Sequence, residues 1–309
     1  MDAELAAALI MFDAGDPHDL DSARKRLRKI YTANKPQIPE TVRVRDLQTT
    51  SPFGPPVRLR LYEPRAASAP MPAMLWIHGG AFTYGFPEMD DDICMRLAAD
   101  SGFLIASPEY RLSPEDPFPA GFDDSYDTLQ WLANQADLLG INRDHLVVGG
   151  TSAGGALAAG VCLRARDESG PKIRQQILAC PVIDDRLITD SMKKYDNSPI
   201  FTNSEARLMW QRYLGENRDN PPRYAAPGRE HDLSNLPSTY VLTADIDPLR
   251  DEGINYAVRL IEAGNLVELH HLPGTFHSFD TTVPTAGISQ RVYQDYLAAL
   301  LRSYSSSLI

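Results

Sequence analysis

The pattern of apolar and polar positions changes along the chain. "TVRVRDLQ" (41–48) and "VRLRLYEP" (57–64) alternate with period two, the second after a Pro/Gly turn at 52–56. Successive strand side chains point to opposite faces, so both stretches read as strands with one face toward solvent. Then come nearly continuous apolar runs: "AMLWIH" (73–78), "FLIAS" (103–107), "HLVVG" (145–149), "QILACPVI" (176–183) and "TYVLTA" (239–244). Strands covered on both faces have this character. Helix patterns separate them. Residues 251–263 place Ile254, Ala257, Val258 and Ile261 at i, i+3, i+4 and i+7, with Gly264 as the stop. Residues 153–167 are rich in alanine and end before Gly170 and Pro171, and Ile288, Val292 and Tyr296 mark a last amphipathic helix. Strand–helix alternation predicts an α/β fold, a mainly parallel sheet with helices on both faces.

Two segments break the rhythm. Residues 1–40 read as helical and precede the first strand. Residues 184–235 lie between two core strands and are too long for a simple connection. This insert carries Met192, Tyr195, Phe201, Met209, Trp210 and Tyr213. It reads either as a small satellite core or as a lid whose methionines and aromatics shape an apolar pocket, and the two readings are compatible.

Composition narrows the classes. The 309 residues are 43% hydrophobic, enough for a large core in one large or two ordinary domains. A formal net charge of −11 argues against nucleic acid and anionic membrane surfaces as partners. Three cysteines, Cys94, Cys162 and Cys180, sit in apolar stretches without CxxC spacing and read as buried structural thiols, which fits a reducing compartment. Asp2 and Glu4 stand where an export signal carries Lys or Arg, and no run approaches the ~18 apolar residues of a membrane helix. The reading is a soluble, cytoplasmic protein without integral membrane association.

One serine changes the picture. Gly150-Thr151-Ser152-Ala153-Gly154 spells G-x-S-x-G between the strand HLVVG and the alanine-rich helix. A strand-to-helix turn this sharp leaves no room for bulky neighbours, and it lifts the serine hydroxyl above the sheet. An idle serine in a glycine turn is the alternative. A serine hydroxyl is a poor nucleophile near neutrality and needs a base, an orienting acid and donors for an oxyanion. "WIHGGAF" (76–82) follows a buried strand, and Gly79 and Gly80 offer two unobstructed N–H groups beside that of Ala153. In "LTADIDPLRDEG" (242–253), Asp247 sits in the loop as the orienting acid, while Asp251 and Glu252 read as first-turn helix residues. "LPGTFHSFD" (272–280) puts His277 in a loop after the strand "LVELHH". His78 reads as a buttress of the glycine loop. His270 and His271 read as structural or solvated, His145 starts a strand, and His18 and His231 lie outside the sheet. The order Ser152, Asp247, His277 is that of α/β-hydrolases, unlike chymotrypsin-type or subtilisin-type enzymes.

With "HGGAF", "YRLSPEDPFPA" (110–120), "GTSAGG", "DPLRDEG" and "GTFHSF" assembled, the chain resembles the hormone-sensitive-lipase-like carboxylesterases (bacterial lipolytic family IV), in the branch with the GTSAG spelling. The resemblance runs from about residue 40 to the end. It implies an eight-stranded, mostly parallel α/β-hydrolase sheet with an antiparallel second strand. A catalytic core of 41–183 and 236–309 would carry a helical cap built from 1–40 and 184–235. It also implies hydrolysis of short- to medium-chain esters without metal or organic cofactor, and often a homodimer. Two departures stand out. The family's third loop glycine is Ala81 here, which narrows the room for bulky tertiary alcohols. Ser113 and Asp116 replace a commoner Ala and His. Glu109, Arg111 and Glu115 read as structural charge pairs. An amidase or lactonase with the same three residues, or a non-catalytic ligand-binding receptor of the same fold, stays open as an alternative.

Overall fold

The computed structural model describes residues 1–9, 19–50 and 54–305. His18, the end of the N-terminal apolar patch and the start of the 52–56 turn lie outside the described residues. Eight strands, β1 (Val42–Gln48), β2 (Arg58–Pro64), β3 (Met71–Ile77), β4 (Leu104–Pro108), β5 (Ile141–Thr151), β6 (Ile173–Ala179), β7 (Ser238–Ile246) and β8 (Val267–Phe276), form one sheet. Their order is β1-β2-β4-β3-β5-β6-β7-β8. β2 runs antiparallel to both of its neighbours, and the other pairs are parallel. This is the architecture the alternation predicts.

Helices α1 (Ala3–Leu9) and α2 (Leu20–Ala33) precede the sheet. The core crossovers carry α3 (Asp91–Ser101), α4 (Ala120–Asn134), α5 (Ala136–Leu139), α6 (Ala153–Asp167) and α9 (Arg250–Glu262). Between β6 and β7 the long insert forms α7 (Asp190–Lys194) and α8 (Asn203–Leu214), and the chain ends in α10 (Phe279–Thr282) and α11 (Gly287–Ser305).

The continuous apolar runs are explained by two cores. Along β3, Ala73, Leu75 and Ile77 pack into a cluster with α4, α6 and α8, while Met74 and Trp76 pack into another with α3 and α11. Val148 and Val147, and Val241 and Tyr240, divide in the same way. A strand that feeds both cores has no position to spare for a polar residue.

Two sequence expectations change. The charged face of β1 and β2 is only partly solvated: the Arg58 and Arg60 side chains are 26% and 14% exposed. Both are covered by carboxylates, Arg58 by Asp46, Glu88 and Glu109 and Arg60 by Asp46 and Asp91. Period-two alternation reports which face is polar, and polar groups can be covered when they are paired. The second correction is the buried face of α9. Val258 and Ile261 are exposed, and the face against the sheet is Gly253, Tyr256, Ala257 and Leu260. Gly253 decides it: a Cβ there would stand 2.9 Å from Thr243 Cγ2 on β7. Counting aliphatic residues favours the wrong stripe, because a glycine marks close approach without adding hydrophobicity.

The corrected face of α9 gives a stability prediction. Leu260→Ala should cost about 2–5 kcal/mol, whereas Ile261→Gln should stay within about 0.5 kcal/mol of the parent. Denaturant unfolding of the two variants checks this, and equal losses would contradict the assigned face.

Candidate active site

The C-terminal ends of β3, β5, β7 and β8 deliver the chemistry to one place. β5 ends at Thr151 and α6 starts at Ala153, so the whole turn falls on Ser152, at φ 57° and ψ −118°. That conformation is unfavourable for a residue with a side chain. Its surroundings hold it: the Ser152 N–H donates to Ala179 O at 2.8 Å, and its carbonyl accepts from Ala156 and Val182. The flanking glycines are required by space. A Cβ on Gly154 would lie 2.0 Å from Ile77 O, and one on Gly150 2.5 Å from the same oxygen.

Three side chains distant in sequence form a line. Ser152 Oγ lies 2.8 Å from His277 Nε2, and His277 Nδ1 lies 2.8 Å from Asp247 Oδ2. The other oxygen, Asp247 Oδ1, accepts from the Leu249 N–H at 2.9 Å. The three residues are 5%, 3% and 1% exposed, so the line is shielded from bulk water and its hydrogen bonds are little screened. β8 runs up to Phe276, beyond the expected strand, and places His277 directly at its tip.

Gly79 and Gly80 lie beside the serine turn. Gly79 is close-packed on it, since a Cβ there would be 3.0 Å from Thr151 O and 3.5 Å from Ser152 Cβ. Among the described residues the N–H groups of Gly79, Gly80 and Ala153 donate to no backbone carbonyl. Ala153 opens α6, where the helix dipole favours negative charge. The Gly80 carbonyl accepts from the Thr83 and Tyr84 N–H groups, which fixes the turn. Ala81 and Phe82 follow at φ 52° and 57°. The family's glycine would relax the first of these, so Ala81 carries backbone strain of order 1–2 kcal/mol.

His78 is the buttress the sequence suggests, with a defined role. It is fully buried and stacked on Tyr110 at 4.3 Å. Its Nδ1 lies 2.8 Å from Gly79 O. Burial pushes its pKa down to about 4, so the ring is neutral near pH 7 and Nδ1 carries the proton donated to that carbonyl. A trans peptide sets its C=O and N–H in opposite directions. Anchoring the Gly79 carbonyl therefore aims the Gly80 N–H away from His78.

The insert residues separate. The Phe201 ring lies 5.1 Å from that of His277. Trp210 and Tyr213 on α8 contact Phe82, Tyr213 as a stack at 3.7 Å, so they border the glycine turn. Met192 and Met209 are buried in one cluster with the sheet residues Leu75, Val148 and Leu178, so the insert extends the main core, a correction to the satellite-core reading. Tyr195 turns toward Arg250, whose Nη1 donates to its hydroxyl at 3.2 Å. Glu109, Arg111 and Glu115 pair with Arg28 and Arg58, Asp124, and Arg24 respectively. His270 pairs with Glu268 and Asp295, and His271 with Thr243.

Three features escape sequence reasoning. Cys180 is more than a core thiol: its Sγ, an Asp247 oxygen and a His277 nitrogen lie within 4.8 Å of one another. Burial raises the thiol pKa well above the ordinary value, so it packs there as a neutral group. Glu252 does more than favour a helix dipole, because its Oε1 accepts from the Ile183 and Asp184 N–H groups and ties the start of the insert to α9. Arg24 on α2 donates to the Thr83 and Ser113 carbonyls and forks onto Glu115, joining the N-terminal segment to the glycine turn. No local pattern announces these contacts, which span 59 to 97 positions of chain.

The profile of the alpha/beta hydrolase fold family matches residues 74–281, from β3 through the serine turn to the His277 loop. This chain belongs to the α/β-hydrolase family. The hydrolase is 35% identical over 263 residues to Esterase LipI of Mycobacterium tuberculosis, covering 84% of this chain and 81% of that one. It is 31% identical over 294 residues to an ethyl acetate hydrolase of Pseudomonas putida, covering 90% and 92%. Among solved structures, a bacterial heroin esterase superposes with a TM-score of 0.94 at 42% identity, with 98% of each chain covered. The resemblance to the hormone-sensitive-lipase-like carboxylesterases is borne out. Among the described residues, no helix of the hydrolase is long and apolar enough to cross a membrane.

The His78 geometry makes a prediction. His78→Ala should lower kcat by about 10- to 100-fold with little change in KM, a fraction of the ~10²–10³ lost with an oxyanion donor. His78→Asn, whose amide can replace Nδ1–H, should recover much of that loss. The folded-state pKa of His78 is depressed, so its stability contribution is complete above about pH 6.5 and falls as the pH drops toward 4. Thermal unfolding of His78→Asn should accordingly show a shallower loss over that window than the parent. Parallel curves would contradict a buried neutral imidazole.

Proposed function

We propose that this α/β-hydrolase is a serine carboxylesterase acting on short- to medium-chain esters through an acyl-enzyme at Ser152. The observation that carries the reading is the unbroken line Ser152–His277–Asp247 beside three N–H groups. His277 Nε2 takes the Ser152 proton as Oγ attacks the ester carbonyl carbon. Asp247 holds the proton on Nδ1 and stabilises the imidazolium. The carbonyl electrons move onto oxygen, where the N–H groups of Gly79, Gly80 and Ala153 receive them. His277 then protonates the departing alkoxide, and an alcohol leaves. In the second half water loses a proton to His277 and attacks the acyl carbon; the proton returns to Ser152 as the acid departs.

Esterase names among the relatives in both comparisons favour ester over amide or lactone substrates. The receptor alternative has less support, because His277 is present and hydrogen-bonded on both ring nitrogens. We assign 1–40 and 184–235 to a cap, with Phe201, Trp210 and Tyr213 as its parts nearest the reacting atoms. Buried free cysteines fit a cytoplasmic location.

The test is a p-nitrophenyl ester series from acetate to palmitate, with a p-nitroanilide control, on wild type and Ser152→Ala. Wild type should peak at short or medium acyl chains and leave the anilide essentially intact. Ser152→Ala should retain the fold and lose at least about 10⁴-fold in turnover. Substantial activity in the purified variant would overturn the assignment of the nucleophile.

A further inference from the structure

A cavity of about 30 Å³ lies between the Pro87–Asp90 turn, α3, α10 and the start of α11, separate from the Ser152 line. Two buried carboxylates line it, Asp90 (7% exposed) and Asp280 (8% exposed). Neutral side chains donate to both: Trp76 Nε1 to Asp90 Oδ2 and Tyr296 OH to Asp280 Oδ2, both at 2.8 Å. The second oxygen of Asp280, Oδ1, is buried without a hydrogen-bond partner. Among the described residues neither acid joins an ion pair, although the next residue, Asp91, is paired with Arg60. Arg96 on the cavity wall is already engaged by Asp92, Gln290 and the face of Tyr293.

Buried anions need a countercharge. The space exceeds the roughly 10–15 Å³ that one water requires. Thr281 and Ser289 add hydroxyl oxygens to the wall, which holds no histidine or cysteine. All-oxygen donors with two carboxylates suit a hard cation, and an irregular donor set suits calcium better than the strict octahedron of magnesium.

We propose that this cavity is a binding site for a calcium-like divalent cation, held by Asp90 and Asp280. The ion would brace two loops of the active site. Asp280 lies three residues beyond His277, and Asp90 ends the turn that follows the glycine loop.

Terbium(III) tests this, because Trp76 and Tyr296 touch the two acids and can transfer excitation to a bound lanthanide. The full-length protein, stripped with EDTA, should show saturable terbium emission on excitation of its aromatic residues, displaced by calcium. Asp280→Asn and Asp90→Asn should each weaken terbium binding at least tenfold, and Asp219→Asn on the surface should leave it unchanged. Calcium should raise the unfolding temperature of the parent and not of Asp90→Asn. If Asp280→Asn fails to fold by near-UV circular dichroism, Asp90→Asn and Ser289→Ala carry the comparison. Absence of saturable emission, or emission retained at parental affinity in a folded acid variant, would overturn the proposal. The pair would then be neutralised by a proton.

Discussion

Among the described glycines the tightest site lies where α6 approaches β3: a single methyl group on Gly154 would stand 2.0 Å from the Ile77 carbonyl oxygen. This closeness forces the chain to reverse within one residue, and Ser152 takes the whole cost as a positive φ. The strain is offset by three backbone hydrogen bonds to the serine peptide and by cores on both sides of β5. The same approach sets the first residues after β3 against the serine turn. Gly79 can touch Ser152 only because β3 and β5 are paired from Ala73–Leu146 to Ile77–Gly150. A nucleophile raised above the sheet and a glycine turn beside it are thus two results of one packing contact.

What the sequence displays best is what depends on this local geometry. Glycines at 79, 80, 150 and 154 mark places where backbones meet, and a strand–serine–helix junction can be read without knowing any long-range contact. Asp247 and His277 are legible for a related reason: each lies at the end of a strand, and parallel strands bring such ends to one edge. The stripe of α9 is misread because Gly253 and Tyr256 face the sheet where an aliphatic count favours Val258 and Ile261. Cys180 illustrates a deeper limit. In the chain it lies within an apolar run, and only the fold places it within 4.8 Å of the Asp247 and His277 atoms. Burial in a core and burial against a reacting group leave the same mark on a sequence.

The insert shows how core packing and the shaping of the site can fall on the same residues. Met192, Met209, Trp210 and Tyr213 are buried in the main core over the sheet rather than in a satellite to it. Yet Tyr213 stacks on Phe82, and Phe82 follows the turn made by Gly79, Gly80 and Ala81. The packing that stabilises the insert therefore also restrains a backbone whose N–H directions matter. Arg24 restrains it from the other side through the Thr83 carbonyl. Phe82, itself at positive φ, is held by this aromatic contact in a conformation it would otherwise avoid.

Charge is distributed by the same logic of covered and uncovered surface. At the β1–β2 edge Asp46, Glu88, Asp91 and Glu109 each face an arginine, and the pairing lets a polar face sit under other elements. Closer to the active site the acids are held by uncharged donors instead: Asp247 by His277 and the Leu249 N–H, Glu252 by the Ile183 and Asp184 N–H groups, Asp280 by Tyr296. A neutral imidazole beside a carboxylate is poised to accept a proton, because the charge it would gain already has its partner. An arginine in the place of the Leu249 N–H would satisfy Asp247 permanently and weaken that field at His277. Asp247, which hydrogen-bonds His277 directly, keeps its negative potential directed at the one group that becomes cationic during turnover.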